Sequence, residues 1–132
     1  MKSIQIQTLQ HIAIIGTNKA KSLFFYQKAL GFELIRETHR KHNNSTKIDL
    51  RKNHICELEL FIYPDAPKRI SFPEACGLRH IAFEVEDLRQ TIQHFAQFKI
   101  IAEELRTDPI DGKLFTFIFD PDNLPIEFCQ TP

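Results

Sequence analysis

Two five-residue stretches of this chain, Leu9-Gln10-His11-Ile12-Ala13 and Leu78-Arg79-His80-Ile81-Ala82, differ at one position and carry a histidine at the same place. A second polar pair recurs behind them: Glu59 in LELF (58–61) and Glu127 in IEF (126–128). The interval between the histidines and the interval between the glutamates differ by one residue, so all four belong to one repeating pattern. Two imidazoles and two carboxylates, with no thiolate required, suit a divalent ion such as Zn, Ni, Co, Mn or Fe(II). A lone strand histidine is more often a satisfied structural residue. The recurrence in register turns the reading toward one metal site made of His11, Glu59, His80 and Glu127. Left buried and unpaired, these groups would cost about 1–3 kcal/mol each, which a bound cation offsets.

Other polar residues are weaker candidates. Glu57 points to the same face as Glu59 but breaks the register and reads as solvated. His39, His42, His54 and His94 read as surface residues, with His42 nearest a possible cavity mouth. Lys113 and Arg106 flank TDPIDGK and are candidates to hold a substrate anion, beside their plainer reading as solubilising charges. The three cysteines, Cys56, Cys76 and Cys129, are odd in number and form no C-x-x-C pair. They read as reduced thiols, not as a disulfide framework or zinc knuckle.

Positioning the four residues takes a repeated order of elements. TNKAKSLFFYQKALGF follows the first histidine strand, with Leu23, Phe24, Tyr26 and Leu30 as the apolar stripe. Thr17 or Asn18 caps its start and Gly31 stops it. EDLRQTIQHFAQF follows the second, with Asp87 as cap and Leu88, Ile92, Phe95 and Ala96 as stripe. Extended segments come next: FELIRETH, TKIDLR and ICELELFIY in the first half, then IIAEELR, KLFTFIFD and LPIEFCQ in the second. DPDN (120–123) reads as a turn with its Asn left-handed. The order is βαβββ twice: module 1 over about 5–63, a proline-rich connector over 64–76, and module 2 over about 77–129.

Strand side chains alternate between faces. Ile12, Ile14, Leu58, Leu60, Ile81, Phe83, Ile126 and Phe128 fall on apolar faces suited to packing beneath helices. The opposite faces carry His11, Glu59, His80 and Glu127, and line a cavity if the sheet curls. A half of this size is marginal by itself, so the 132 residues read as a single α+β domain.

Composition removes other classes. Seventeen basic and seventeen acidic residues give a formal net charge of zero, against a nucleic-acid partner, which needs clustered positive charge. No apolar run approaches the roughly 20 residues that span a bilayer. MKSIQIQTLQ lacks the apolar centre of a signal peptide, and with reduced cysteines this reads as a cytoplasmic protein.

With paired βαβββ modules in place, HIAI, FYQKALGF, LELF, GLRHIAF and FTFIFDPDNLPIEF resemble the vicinal oxygen chelate superfamily, and within it the glyoxalase I-like branch, over nearly the whole chain. The resemblance implies two modules forming a half-open mixed β-barrel around the metal. It also implies a His-Glu-His-Glu ligand set, falling here on His11, Glu59, His80 and Glu127. Ring-cleaving dioxygenases and fosfomycin-resistance enzymes of the superfamily resemble three-ligand His-His-Glu sites, so Glu59 favours the four-ligand branch. The implied activity is that of a divalent-metal-dependent isomerase or lyase, lactoylglutathione lyase-like, acting on a small oxygenated substrate through a metal-chelated enediolate. Glu127 is the first choice for the base and Glu59 the second. The alternatives on this scaffold are a metal-dependent dioxygenase and a non-catalytic drug-binding protein. DPDN stands where the family more usually has DPDG, and the family's glutathione-binding Arg and Asn have no assigned counterparts, so the thiol is left open. A homodimer is expected, because each half exposes sheet edges, with the site completed within one chain or between two.

Overall fold

Alternating apolar and polar side chains produce eight strands, arranged as two separate four-stranded mixed sheets, in a computed structural model that describes residues 1–132. The chain divides into two units, Met1–Ala66 and Pro67–Pro132, each with its own βαβββ order. This is the α+β class and module pattern expected. No helix is long and apolar enough to cross a membrane.

In the first unit β1 (Ile12–Gly16) leads into α1 (Lys19–Leu23), which widens into a π-helical turn over Phe24–Ala29. Then come β2 (Glu33–Arg40), β3 (Ser45–Lys52) and β4 (Cys56–Ile62), in the sheet order β1-β4-β3-β2, with β1 parallel to β4 and the other pairs antiparallel. Asn18 is the helix cap, its Oδ1 accepting from the Lys21 N–H at 2.9 Å. Gly31 ends the helical segment at φ +76°, a conformation that favours glycine. The expected stripe is right at Tyr26 and wrong at Phe24, which is half-exposed; Ser22, Phe25, Tyr26 and Ala29 are the buried face. Phe24-Phe25-Tyr26 offers three consecutive aromatics, and the small Ser22 and Ala29 decide which side of the helix turns inward. Those residues and the apolar sheet face of Ile14, Ile48, Leu50, Leu58, Leu60 and Ile62 are the unit's core.

The second unit repeats the plan with β5 (Ile81–Val85), α2 (Leu88–Gln97), β6 (Arg106–Thr107), β7 (Leu114–Phe119) and β8 (Pro125–Gln130), in the order β5-β8-β7-β6. The Asp87 Oδ1 caps α2 by accepting from the Gln90 N–H at 3.0 Å. Leu88 and Phe95 are buried as expected, with the Phe95 ring 5.0 Å from that of Phe128, whereas Ala96 is exposed. The strand expected over 100–106 shrinks to two residues. Upstream of them Thr116 Oγ1 donates to the Glu103 carbonyl at 2.7 Å and the Glu103 N–H to the Phe117 carbonyl at 2.9 Å. A buried side-chain hydroxyl thus takes an acceptor that a regular ladder would use. The DPDN turn forms as expected, with Asn123 at φ +69° and Asp120 Oδ1 accepting from the Asp122 and Leu124 N–H groups at 2.9 Å each.

Candidate metal centre

Two parallel ladders place the four candidate residues. Ala13 on β1 lies opposite Glu59 on β4, and Ala82 on β5 lies opposite Glu127 on β8. Partners in a ladder share a face, and a residue two positions back along a strand returns to that face. His11 and His80 each sit two residues before those alanines, just ahead of their strands, so each unit presents His, Ala and Glu together. Alanine, with only a methyl group, leaves room between the two polar side chains.

In the first unit His11 Nδ1 lies 3.4 Å from Glu59 Oε2; in the second His80 Nε2 lies 3.7 Å from Glu127 Oε2. Two ligands about 2.1 Å from one ion and at right angles stand about 3 Å apart, so both pairs are near the spacing that joint ligation needs. Nowhere does the structure gather three or more His, Cys, Asp or Glu side chains into a group able to hold a metal ion; it forms two His–Glu pairs, one in each unit. Each pair, one imidazole and one carboxylate, offers donor types that suit a divalent ion. The side chains are 38% and 19% exposed for His11 and Glu59, and 25% and 22% for His80 and Glu127. No buried side-chain polar atom in the protein lacks a hydrogen-bond partner. The expected penalty for burying unpaired groups therefore does not carry the reading; the recurring geometry does.

The histidines are held differently. Gln10 Oε1 contacts His11 Nδ1, the nitrogen that also faces Glu59. Arg79 Nη1, which can only donate, lies 3.2 Å from His80 Nδ1, leaving Nε2 as the nitrogen that faces Glu127.

The surroundings of the two glutamates also differ. Opposite Glu59 on β3 stands Asp49, and Lys47 Nζ lies 3.4 Å from Glu59 Oε1 and 3.6 Å from Asp49 Oδ1. Arg36 Nε reaches the other Asp49 oxygen at 3.2 Å. Opposite Glu127 stands Phe117, whose ring meets the His80 imidazole edge-on at 5.1 Å. One half of the candidate site is an ion-pair network and the other is aromatic. Lys47, Asp49 and Arg79 went unnoticed in the sequence; finding the first two requires the β3–β4 register, which no short motif announces.

The remaining candidates make contacts of their own rather than joining either His–Glu pair. Glu57 accepts from Arg51 Nε at 2.9 Å and from Gln10 Nε2 at 3.2 Å, an exposed ion pair on the face shared with Glu59. His39, His42, His54 and His94 are exposed. Lys113 Nζ lies 3.7 Å from Glu84, while Arg106 stacks over Phe115 and Phe117 at 5.0 and 5.6 Å. Cys76 is exposed; Cys56 and Cys129 are partly covered, and no disulfide forms. Burial pushes the Cys129 thiol up, reinforced by the carboxylates of Glu127 and Glu84, so it stays protonated.

A family model described as Glyoxalase/Bleomycin resistance protein/Dioxygenase superfamily matches residues 8–128. The uncharacterized protein YwkD of Bacillus subtilis is 48% identical over 125 residues, covering 95% of this chain and 98% of that protein. The crystal structure of a glyoxalase family protein from Enterococcus faecalis superposes with a TM-score of 0.89 at 45% identity, covering 93% of this chain and 97% of that one. That of a lactoylglutathione lyase from Agrobacterium tumefaciens has a TM-score of 0.70 at 17% identity, covering 95% and 94%, a likeness of fold alone.

Proposed function

The chain belongs to the glyoxalase/bleomycin resistance protein/dioxygenase superfamily, the vicinal oxygen chelate superfamily, and on that footing we propose that it is a divalent-metal-dependent isomerase or lyase of the glyoxalase I-like type. Members of this superfamily typically use a divalent metal. The reading takes His11, Glu59, His80 and Glu127 as one ligand set, with the two sheets forming a half-open barrel in a single domain, or sharing the set across a homodimer. One observation carries it: the same His–Ala–Glu arrangement, on the same parallel ladder, occurs in both units.

A bound divalent ion would supply Lewis acidity toward negative charge developing on two adjacent oxygens of a small substrate. The chain's own residues divide the remaining work. Glu127 is the base that takes the proton from the carbon next to the carbonyl, because it has no Lys or Arg ion-pair partner and faces only His80. Glu59 is tied by Lys47 as well as His11, which suits a fixed ligand better than a moving base. Phe117 covers one side of the His80–Glu127 pair and limits water there.

Elemental analysis of purified protein tests the site, and a screen of thiol–oxoaldehyde adducts tests the reaction. We expect about one divalent ion for each His2Glu2 set, with most of it lost in His11→Ala and in His80→Ala. Full metal content in both variants would overturn the assignment. Oxygen consumption with bound Fe or Mn would instead point to the dioxygenase chemistry of the same scaffold.

A further inference from the structure

The second unit contains a cavity of about 320 Å³, formed where segment 69–75 passes the β7 face that carries Phe117 and Phe119. Small-molecule sites run from about 300 to 1,000 Å³, so this one suits a small ligand. Three arginines line it, Arg69, Arg79 and Arg106, against two glutamates, Glu74 and Glu103. The balance is one positive charge in a pocket whose floor includes Phe117.

The three guanidinium groups are not equivalent. Arg69 is committed to the backbone, its Nη2 donating to the Leu78 and Arg79 carbonyls at 2.9 Å each. Arg79 donates through Nε to Glu74 and through Nη1 to His80, and Arg106 through Nη2 to Glu103 at 2.8 Å. Both carboxylate partners are exposed, at 59% for Glu74 and 44% for Glu103. Ion pairs this open to water are worth little and exchange readily for a better acceptor. Arg106 also has its guanidinium carbon 5.0 Å from the Phe115 ring centre and 5.6 Å from that of Phe117, cation–π contacts that restrict its fork beside the cavity.

The cavity adjoins one half of the candidate metal centre. Phe117 lies opposite Glu127 on the ladder and against the His80 ring, and Arg79 is bonded to His80 itself. We propose that this cavity binds the anionic end of the substrate, a small organic carboxylate whose charge is taken by Arg79 and Arg106 and whose apolar body lies on Phe117 and Phe72. The proposal rests on reading His80 and Glu127 as part of the reacting site, but the binding it describes needs no metal.

The test is a calorimetric or NMR titration of EDTA-treated full-length protein with 3-phenylpropanoate and, separately, with its uncharged amide. Charge-assisted hydrogen bonds should make the acid bind at least about tenfold more tightly than the amide. Arg106→Gln and Arg79→Gln should each weaken the acid by about tenfold and leave the amide nearly unchanged. Glu103→Gln removes the competing carboxylate and should tighten the acid severalfold, a gain that no loss of folding can imitate. Equal binding of acid and amide, or no effect of Arg106→Gln and Glu103→Gln, would overturn the proposal. Elemental analysis reports on the metal reading separately, so either idea can fail while the other stands.

Discussion

Glu59 and Glu127 occupy matching ladder positions, yet their charges are handled differently. Lys47 shares its ammonium between Glu59 and Asp49, while Glu127 faces only His80, beside an aromatic wall. Glu→Gln keeps the size and one oxygen but removes the charge, so it separates a ligand from a base. Glu127→Gln should retain some metal and slow exchange of solvent deuterium into an α-hydroxycarbonyl substrate by at least about a hundredfold. Glu59→Gln should chiefly lower metal occupancy, and Glu57→Gln should change neither, because its partners are the exposed Arg51 and Gln10. Lys47→Met removes a cation that competes for Glu59 and should tighten metal binding, by about tenfold at most for a half-exposed pair. Wild-type exchange by metal-loaded Glu127→Gln places the base elsewhere. A site lost in Glu57→Gln and intact in Glu59→Gln puts the ligand register two residues off.

At the scale of elements, the two modules use one plan with unequal means. Both helices begin at a side-chain cap, Asn18 in one and Asp87 in the other, each accepting from the N–H three residues on. Asp87→Ala should cost about 1 kcal/mol in urea denaturation, the usual value of such a cap, with little effect on metal content. Asn18→Ala should behave alike. A loss of metal without a loss of stability in either variant would show that these helices set the site more directly than by holding the sheet. The second strands differ more: β2 runs over Glu33–Arg40, whereas β6 is Arg106–Thr107, with the Thr116 hydroxyl bonded to the Glu103 carbonyl upstream of it. That short β6 sets Arg106 over the aromatic face of β7.

For the whole molecule, the proposed ligand set draws one histidine and one glutamate from each unit, so neither pair completes it alone. Each sheet also ends in strands with an unpaired edge within its unit, β1 and β2 in one, β5 and β6 in the other. We expect a homodimer by light scattering at micromolar concentration. A monomer that still holds its full complement of metal would rule out a set shared between chains. Mixing His11→Ala with His80→Ala locates the set. If the ligands come from two chains, each mixed dimer rebuilds one of its two sets, and random re-pairing recovers about a quarter of the wild-type metal. If they come from one chain, mixing restores nothing.

The repeat made much of this legible in the sequence. His11 with His80 and Glu59 with Glu127 could be paired without coordinates, because a period-two pattern assigns each strand residue to a face whatever surrounds it. Caps and the DPDN turn were equally local, depending on side chains that bond their own backbone within a few residues. Neighbours across a ladder are not local. That Asp49 stands opposite Glu59 while Phe117 stands opposite Glu127 follows from strand register, set by packing over the whole sheet. The choice of Phe25 over Phe24 for the core, the shortness of β6, and the arginine-lined cavity beneath segment 69–75 have the same origin. Sequence alone determined which histidines and glutamates recur in register and which face they share; tertiary packing decided which charges and rings surround them.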